Sequence, residues 1–255
     1  MGVRAKKYLG QHFLKDKNIA RKIAGLIPTG ISNVLEIGPG TGVLTNFLKD
    51  KKVNLKVIEI DSESVDYLIK NNILPEKDIL FADFLKTDIR NIFGGEEFVV
   101  TGNFPYNISS QILFKTLEYR EMIPFFSGMF QKEVGERITA KAGNKTYGIL
   151  SVLSQAFYDT SYLFTLKPSV FLPPPKVDSG VIKMVRKEDF QLDCNEDLFF
   201  KVVKTAFNTR RKMMRSSLKT IVKNKEILSS PVFEKRPEQL DFKEFEGVVR
   251  LIEGR

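Results

Sequence analysis

The sequence contains one cysteine and one histidine among its 255 residues. Because Cys194 is alone, the chain forms no internal disulfide and no multi-cysteine zinc site, and a single thiol is typical of a reducing compartment. Because His12 is also alone, a histidine-rich metal site is excluded, and we expect no metal. His12 lies in the sequence GQHFL, which matches no nucleophile motif and argues against a Ser-His-Asp hydrolase.

Long apolar runs are absent as well. No segment approaches the roughly 18 apolar residues of a membrane-spanning helix, and the basic N-terminus lacks the apolar stretch of a signal peptide. We therefore expect a soluble cytoplasmic protein with no membrane partner. A hydrophobic fraction of 42% and a charged fraction of 28% exclude a disordered chain, and the length predicts one or two domains.

The net charge of +9 is concentrated in two segments. Residues 1–22, the basic arm, contain seven basic side chains and one acid. Residues 198–225, the basic segment, contain nine basic side chains and no acid, which leaves −6 for the rest of the chain. Clustered cations favour a nucleic acid, because phosphates are neutralised by cations that lie close together. Solvated helix faces are the alternative for both segments, and a membrane surface is a further alternative for the basic segment.

Short apolar runs alternate with helical stretches through the first 187 residues. This alternation predicts an α/β fold with a parallel, Rossmann-like sheet and crossover helices. The apolar character of the runs predicts strands that are buried on both faces. The predicted strands are residues 33–37, 55–60, 78–83, 97–103 and 125–133, and an antiparallel edge pair at 162–167 and 180–185. The predicted helices are residues 43–50, 63–72, 111–120 and 147–157.

After residue 187 the pattern becomes helical, over residues 196–224 and again over 241–254. The sequence therefore predicts a catalytic domain of residues 1–187, which includes the basic arm, and a small all-helical domain of residues 188–255.

The first predicted strand ends in a glycine-rich turn, Glu36-Ile-Gly38-Pro-Gly40-Thr-Gly42. Glycines between a strand and a helix let a ligand approach the backbone and leave amides free at the helix N-terminus. A dinucleotide fingerprint requires glycine at position 43, where Val43 stands, and this argues against a hydride-transfer enzyme. The spacing E-x-G-x-G-x-G resembles the first motif of S-adenosylmethionine-dependent methyltransferases.

Acidic residues end the next two predicted strands. Glu59 is placed to accept hydrogen bonds from both ribose hydroxyls of a nucleoside cofactor, and Asp83 is placed to accept from an adenine amino group, with Phe84 over the ring. Either acid alone is as readily a helix cap or a solvated turn. Together with the glycine turn they predict an adenosyl-cofactor site.

The fourth predicted strand ends in Asn103-Phe104-Pro105-Tyr106. At this position the sequence resembles the N/D-P/L-P-Y motif of enzymes that methylate exocyclic amines of bases, although alone it is also typical of a turn. The lone pair of adenine N6 is delocalised into the ring, so the amine is a poor nucleophile. Acceptors on Asn103 (side chain) and Phe104 (carbonyl) favour a pyramidal, nucleophilic nitrogen. Pro105 stiffens the turn, and Tyr106 offers a ring to a base that has left its stack.

Five further segments extend the resemblance over nearly the whole chain. Together with the motifs above they resemble the small-subunit ribosomal RNA adenine N6,N6-dimethyltransferases. These segments are GQHFL (10–14), QKEVGER (131–137), YGILSV (147–152), FLPPPKVDSG (171–180) and AFNTRRKMMRSSL (206–218).

This resemblance implies an S-adenosylmethionine-dependent enzyme with a C-terminal helical domain that binds rRNA. It implies dimethylation of two adjacent adenosines in a hairpin loop near the 3′ end of small-subunit rRNA, within a partly assembled subunit, by a monomeric protein. The cofactor contacts that it implies are His12, Leu14, Gly38, Glu59, Asp83 and Asn103, and the family often has asparagine where His12 stands. The RNA contacts that it implies are Phe171, which helps to clamp the flipped base, and Arg210, Arg211, Lys212 and Arg215.

Three other functions remain open at this point. A large-subunit rRNA adenine methylase of the macrolide-resistance type would share the cofactor site and the NFPY sequence, but the YGILSV and Arg-Arg-Lys sequences argue against it. A non-catalytic RNA-binding assembly factor or transcription cofactor would have a degraded glycine turn or NFPY motif, and both are intact. A DNA adenine methylase usually needs a larger target-recognition domain.

Overall fold

A seven-stranded sheet organises the first part of the chain in the computed structural model, which describes residues 3–255. Its order is β4-β3-β2-β5-β6-β9-β7, and a two-stranded sheet pairs β1 with β8. The strands are β1 (Phe13–Leu14), β2 (Asn33–Ile37), β3 (Asn54–Glu59), β4 (Ile79–Phe81), β5 (Val99–Asn103), β6 (Phe125–Gln131), β7 (Tyr158–Leu166), β8 (Phe171–Leu172) and β9 (Ser179–Arg186).

The direction of the strands confirms the predicted Rossmann-like sheet. Strands β4, β3, β2, β5 and β6 are parallel to their neighbours, and β9 runs antiparallel to β6. The predicted edge pair corresponds to β7 and β9, which are adjacent in the sheet. Every residue of β2 is buried, as expected for a central strand covered on both faces.

The helices lie between the strands and in the C-terminal part. They are α1 (Lys17–Ala24), α2 (Val43–Lys49), α3 (Ser62–Lys70), α4 (Ser109–Glu118), α5 (Lys132–Thr139), α6 (Ile149–Phe157), α7 (Glu196–Asn208), α8 (Met214–Ser217) and α9 (Phe242–Glu253). Aspartates begin three of them, because a carboxylate accepts hydrogen bonds from the free amides of the first turn. The capping residues are Asp16, Asp61 and Asp241.

The strand register brings four strand ends side by side. Ile37 of β2 pairs with Ile58 of β3 and with Gly102 of β5, while Glu59 pairs with Phe81 of β4. The residues that follow these strands therefore meet at one edge of the sheet, which is where ligands bind in open α/β sheets. The predicted strand 78–83 ends earlier, at Phe81, because Asp83 forms a turn in which its carboxylate accepts from the amide of Leu85 at 2.9 Å.

The described residues form two compact units. One comprises the chain up to Gly135 together with Ser161–Arg186, and the other comprises Glu136–Thr160 together with Lys187–Arg255. The predicted domains, 1–187 and 188–255, therefore differ from this division in one segment. Helix α6, which the sequence placed in the catalytic domain, packs against α7 and α9 in the second unit. The apolar pattern of a helix predicts that it is buried, but it does not indicate which of two hydrophobic cores the helix packs against.

The helix predicted over residues 196–224 is interrupted. Helix α7 ends at Asn208, and only the short α8 follows it. Between Phe207 and Met213 there is no apolar side chain to bury, and the amide of Lys212 instead donates to the carbonyl of Thr209 at 2.8 Å in a turn. The Arg-Arg-Lys sequence thus lies on a turn rather than on a helix.

Across residues 3–255, no helix is both long enough and apolar enough to cross a bilayer. The same residues contain no cluster of three or more histidine, cysteine, aspartate or glutamate side chains that is arranged to hold a metal ion.

The ring of Phe104 packs beneath the sheet edge, with ring centroids 5.0 Å from those of both Phe126 and Phe130. A β-carbon on Gly128 would collide with this ring and with the carbonyl of Gly102. We expect Gly128→Ala to lower the free energy of unfolding by about 2 kcal/mol, since overpacking a core forces its neighbours apart. Thermal denaturation followed by circular dichroism measures the effect.

The matched control is Gly247→Ala in α9, where a β-carbon meets nothing within 4 Å. There the substitution should raise stability by about 0.5–1 kcal/mol, because alanine loses less backbone entropy in a helix. Equal melting temperatures for Gly128→Ala and the unmodified protein would contradict the packing described.

Candidate active site

A pocket opens where four of the five parallel strands end, with about 890 Å³ of empty space that is continuous with solvent. It is lined by residues from the basic arm, the glycine turn and the three following strand ends. The predicted site residues in its lining are His12, Gly38, Gly40, Glu59, Asp83, Phe84, Asn103, Phe104, Pro105 and Tyr106. Leu9, Gln11, Ile60, Asn107 and Ile108 also line it.

The glycine turn lies between the basic arm and Glu59. Gly40 has a φ of 55°, in the left-handed region that glycine adopts readily. A β-carbon there would lie 2.7 Å from the ring of Phe13, so this position admits only glycine. The amide of Gly40 donates to Oε2 of Glu59 at 3.2 Å. The turn therefore joins the first strand end to the second.

Glu59 is a buried carboxylate held by backbone amides. Its Oε1 accepts from the amides of Ile60 and Asp61, both at 2.9 Å. Burial raises the pKa of Glu59, and the three amide hydrogen bonds oppose this effect. These bonds use about three of the four acceptor positions of the carboxylate. Oε2 retains a position that can accept from a ribose hydroxyl.

The turn that carries Asp83 and Phe84 is held by a buried lysine. Nζ of Lys115, on α4, donates to the carbonyls of Phe84 at 2.7 Å and Leu85 at 3.1 Å, and also to that of Thr87. Burial lowers the pKa of Lys115. This role was not predictable from the sequence, because a lysine within a helical pattern carries no signal of what its amine contacts.

The basic arm passes over the pocket and is tied to Asp61. Nε2 of Gln11 donates to Oδ2 of Asp61 at 3.0 Å, and Nζ of Lys6 forms an ion pair with Oδ1. Burial works in the opposite direction, but hydrogen bonds from Gln11, Lys6 and Ser64 lower the pKa of Asp61. Lys6 therefore neutralises an internal acid, and the cationic charge of the arm that is available to a partner is smaller than the sequence count.

The basic arm is also held by the pairing of its strand β1 with β8. Phe13 pairs with Leu172, and Leu14 pairs with Phe171. The side chain of Leu14 is buried in the core and borders a smaller cavity beside Glu36, not the main pocket. Nδ1 of His12 donates to the carbonyl of Pro173 at 2.8 Å.

The NFPY sequence is held by two hydrogen bonds from its side chains. Nδ2 of Asn103 donates to the main-chain carbonyl of His12 at 2.6 Å, which leaves the amide oxygen free to accept from a substrate. The hydroxyl of Tyr106 is hydrogen-bonded to that of buried Ser179, and its ring lies 5.2 Å from the His12 ring. Burial raises the pKa of Tyr106, against the effect of Ser179, so its ring stays neutral. The contact of Ser179 with Tyr106 likewise has no signal in the sequence.

A family model for ribosomal RNA adenine dimethylases matches residues 2–251. The chain belongs to this family. It is 59% identical to the ribosomal RNA small subunit methyltransferase A of Flavobacterium johnsoniae, an alignment that covers 99% of this chain and 97% of that protein. As a ribosomal RNA adenine dimethylase, the protein is an S-adenosylmethionine-dependent enzyme.

Solved structures share this fold. A dimethyladenosine transferase from Plasmodium falciparum has a TM-score of 0.81 at 29% identity, over 95% of this chain and 98% of that one. The 23S rRNA methyltransferase ErmE has a TM-score of 0.69 at 23% identity, over 93% of this chain and 99% of that one. The second likeness is one of fold alone.

The pocket of this ribosomal RNA adenine dimethylase fits S-adenosylmethionine. Glu59 and Asp83 present acceptors to the hydroxyl and amino groups of a nucleoside. Glu36 is buried next to the glycine turn, and its Oε2 has no hydrogen-bond partner among the described residues. Glu36 borders the smaller cavity beside the glycine turn rather than the main pocket. A buried oxygen without a partner is a position where a bound ligand gains a hydrogen bond.

Two predicted contacts do not line the main pocket, namely Leu14, described above, and Phe171. Phe171 was expected to clamp the flipped base, but its side chain is 1% exposed and belongs to the hydrophobic core. Successive side chains of a strand point to opposite faces, and it is Leu172 that is exposed, at 62%. Phe171 therefore supports the basic arm through its pairing with Leu14 and does not line the pocket.

The predicted RNA contacts of the second unit lie on one turn and the start of α8. Arg210 is partly used within the protein, since Nε lies 3.5 Å from Glu238 and a terminal nitrogen donates to the carbonyl of Asn144 at 3.3 Å. Arg215 lies 3.8 Å from Glu234. Arg211 and Lys212 are exposed, and neither forms an ion pair within residues 3–255.

Glu36 makes the stability of the protein depend on pH. Burial, with a smaller contribution from the charge of Glu59, raises the pKa of Glu36 to about 8 from an ordinary value of 4.5. The folded state thus retains a proton that the unfolded state releases, so stability falls as pH rises from about 4.5 to about 8. We expect Glu36→Gln to remove this dependence. Without cofactor, the melting temperature of the variant should exceed that of the unmodified protein by a margin that widens from pH 5.5 to pH 8.5.

Glu76→Gln, at an exposed glutamate, is the control and should follow the unmodified protein across the same pH range. If the curves for Glu36→Gln and the unmodified protein run parallel, the buried carboxyl group does not titrate as described.

Proposed function

We propose that this ribosomal RNA adenine dimethylase methylates N6 of two adjacent adenosines in a hairpin loop near the 3′ end of small-subunit rRNA. Each adenosine receives two methyl groups, so four transfers complete one RNA. The observation that carries the proposal is the hydrogen bond of Asn103, a residue that lines the pocket: its amide nitrogen is committed to the His12 carbonyl, so the amide oxygen is the atom left to accept from a substrate. The name of the Flavobacterium johnsoniae relative supports the small subunit as the source of the RNA.

The chemistry follows from the acceptors that face the target amine. Oδ1 of Asn103 and the carbonyl of Phe104 accept hydrogen bonds from N6, which localises the lone pair on nitrogen. S-adenosylmethionine, when bound, supplies a methyl group attached to a positively charged sulfur. No strong general base is required, because the methylated aminium is acidic and loses its proton readily. The protein therefore contributes position and electrostatics.

Tyr106 supplies the surface on which the target base rests. Its hydroxyl is hydrogen-bonded to Ser179, which favours the orientation in which Tyr106 lines the pocket. A base enters only after leaving its own stack, which restricts the substrate to a loop or another unpaired region. After the first transfer, N6 retains one hydrogen, and a single acceptor then suffices to orient it.

The partner that we propose is a partly assembled small ribosomal subunit, bound by a monomer in the cytoplasm during ribosome biogenesis. In the second unit, Arg211 and Lys212 lie on a turn and are exposed. Lys and Arg side chains must be exposed in this way to contact phosphates. RNA helices are recognised mainly through shape and backbone, and exposed cations suit that mode.

The central prediction concerns Asn103. Immature small subunits are incubated with isotopically labelled S-adenosylmethionine, and their rRNA fragments are analysed by mass spectrometry. The unmodified protein should yield two adjacent dimethyladenosines, with no transfer to large-subunit RNA. Asn103→Ala should lower kcat by roughly 10²–10³-fold, the typical cost of removing one preorganised polar group. Its affinity for S-adenosylmethionine should stay within an order of magnitude.

Asn18→Ala, at an exposed asparagine on α1, is the control and should retain full activity. Near-normal turnover by Asn103→Ala would remove Asn103 from the reaction. Labelling of large-subunit RNA instead would favour the macrolide-resistance type of activity.

The basic segment generates a separate prediction. Arg211→Glu combined with Lys212→Glu should weaken RNA binding and flatten its dependence on salt. Each lost phosphate contact lowers the slope of log K against log salt by about 0.7–0.9, so two contacts lower it by about 1.5. A filter-binding titration at several salt concentrations measures the slope.

The matched control is Lys77→Glu combined with Lys243→Glu, which makes the same change of charge at exposed lysines outside both basic regions. Identical slopes for the two double variants would show that the turn does not contact RNA.

A further inference from the structure

Tyr8 is the most exposed of the large hydrophobic side chains within residues 3–255, at 76%. It lies in a single 3-10 turn, Lys7–Leu9, at the start of the basic arm. Isolated exposed hydrophobic residues are common and need no explanation. Tyr8 differs because its backbone is anchored while its ring faces solvent.

The anchor of Tyr8 is the loop that carries the catalytic motif. Nδ2 of Asn107 donates to the carbonyl of Tyr8 at 3.1 Å, and Asn107 directly follows Tyr106. Asn107 also packs closely against Gly10, since a β-carbon on Gly10 would lie 2.6 Å from Oδ1 of Asn107. The ties of Lys6 and Gln11 to Asp61 hold the segment from both sides of the turn. The ring therefore stands on a fixed support.

The position of Tyr8 is the rim of the pocket. Leu9, Gly10 and Gln11 line the pocket, whereas Tyr8 does not. The neighbouring Arg4 and Lys7 are exposed and form no ion pair with any residue that the structure describes. An exposed aromatic ring on an anchored backbone, with unpaired cations beside it and a pocket for one base next to it, matches the surface that binds unpaired nucleic acid strands.

We propose that Tyr8 is a stacking platform for the unpaired RNA base next to the adenosine that enters the pocket. The inference rests on the proposed function and specifies how the same site holds its substrate. When the target adenosine leaves its stack, the adjacent base loses a neighbour, and the exposed ring replaces that neighbour. Arg4 and Lys7 contact the phosphates on either side. Because every base has a π face, the contact adds affinity for an unpaired loop without selecting a sequence.

The absence of tryptophan from the sequence allows a direct test. Tyr8→Trp introduces a single tryptophan, whose fluorescence is quenched when a nucleobase stacks on it. The variant is titrated with a hairpin RNA whose loop contains two adjacent adenosines. We expect saturable quenching at RNA concentrations near the KM for methyl transfer, and no quenching by S-adenosylmethionine alone.

The matched control for fluorescence is Val185→Trp. Val185 is 39% exposed and pairs with Phe125 at the start of β6, at the edge of the sheet opposite the pocket. Its tryptophan should not respond to RNA. Quenching that is equal at both positions, or absent at position 8, would overturn the proposal. Quenching at position 8 by S-adenosylmethionine alone would place Tyr8 in the cofactor site instead.

Substitutions that change the ring provide the second measurement. Tyr8→Ala should raise the KM for RNA about tenfold, with the affinity for S-adenosylmethionine unchanged. Tyr8→Phe should restore the KM, because it retains the ring, while Tyr8→Leu should not. Full restoration by leucine would show that the position needs only an apolar group, as a protein partner or internal packing would, and would overturn the stacking role.

Failure of this inference is distinguishable from failure of the proposed function. If the unmodified protein methylates small-subunit rRNA and Tyr8→Ala has the same KM, only the stacking platform is wrong. If the unmodified protein does not methylate that RNA, the proposed function is wrong, whatever the fluorescence shows.

Discussion

The hydrogen bond from the Asn103 amide to the His12 carbonyl, at 2.6 Å, is the interaction on which the site depends. It joins the catalytic motif to a segment that lies 91 residues earlier in the chain. Because the amide nitrogen is used by the protein, the amide oxygen is presented to the substrate. The same arm places Phe13 against the glycine turn, which only a glycine at position 40 permits. The cofactor pocket and the orientation of the target base therefore both depend on the position of the basic arm.

The pocket and the surface differ in the sign of their charged groups. Two buried carboxyl groups lie at the strand ends: Glu59 lines the pocket, and Glu36 borders the smaller cavity beside the glycine turn. Burial raises the pKa of both. Groups of this kind are costly to ionise in the empty protein, and ligand groups that donate hydrogen bonds to them favour the ionised form. Clusters of exposed cations lie elsewhere, on the basic arm and on the turn that carries Arg211 and Lys212. The net charge of +9 is therefore the sum of two sets of residues: acidic side chains that accept hydrogen bonds from a nucleoside, and basic side chains that are available to phosphates.

Local patterns in the sequence were sufficient for the sheet, the glycine turn and the strand-end residues, because each depends on neighbouring residues and on strand alternation. Contacts between distant segments were not predictable in this way. Lys115 and Ser179 act through hydrogen bonds to residues far along the chain. Phe171 faces inward only because β8 pairs with β1 in one register, and a shift of one residue exchanges the two faces. The membership of α6 in the second unit depends on its tertiary packing.

The most direct test of the central claim is a crystal structure with S-adenosylhomocysteine and a short RNA that contains the unpaired target adenosine. The account predicts Nδ2 of Asn103 still on the His12 carbonyl, with Oδ1 and the Phe104 carbonyl both about 3 Å from adenine N6. An Asn103 amide turned so that its nitrogen faces the base, or an arm displaced from the motif, would contradict it.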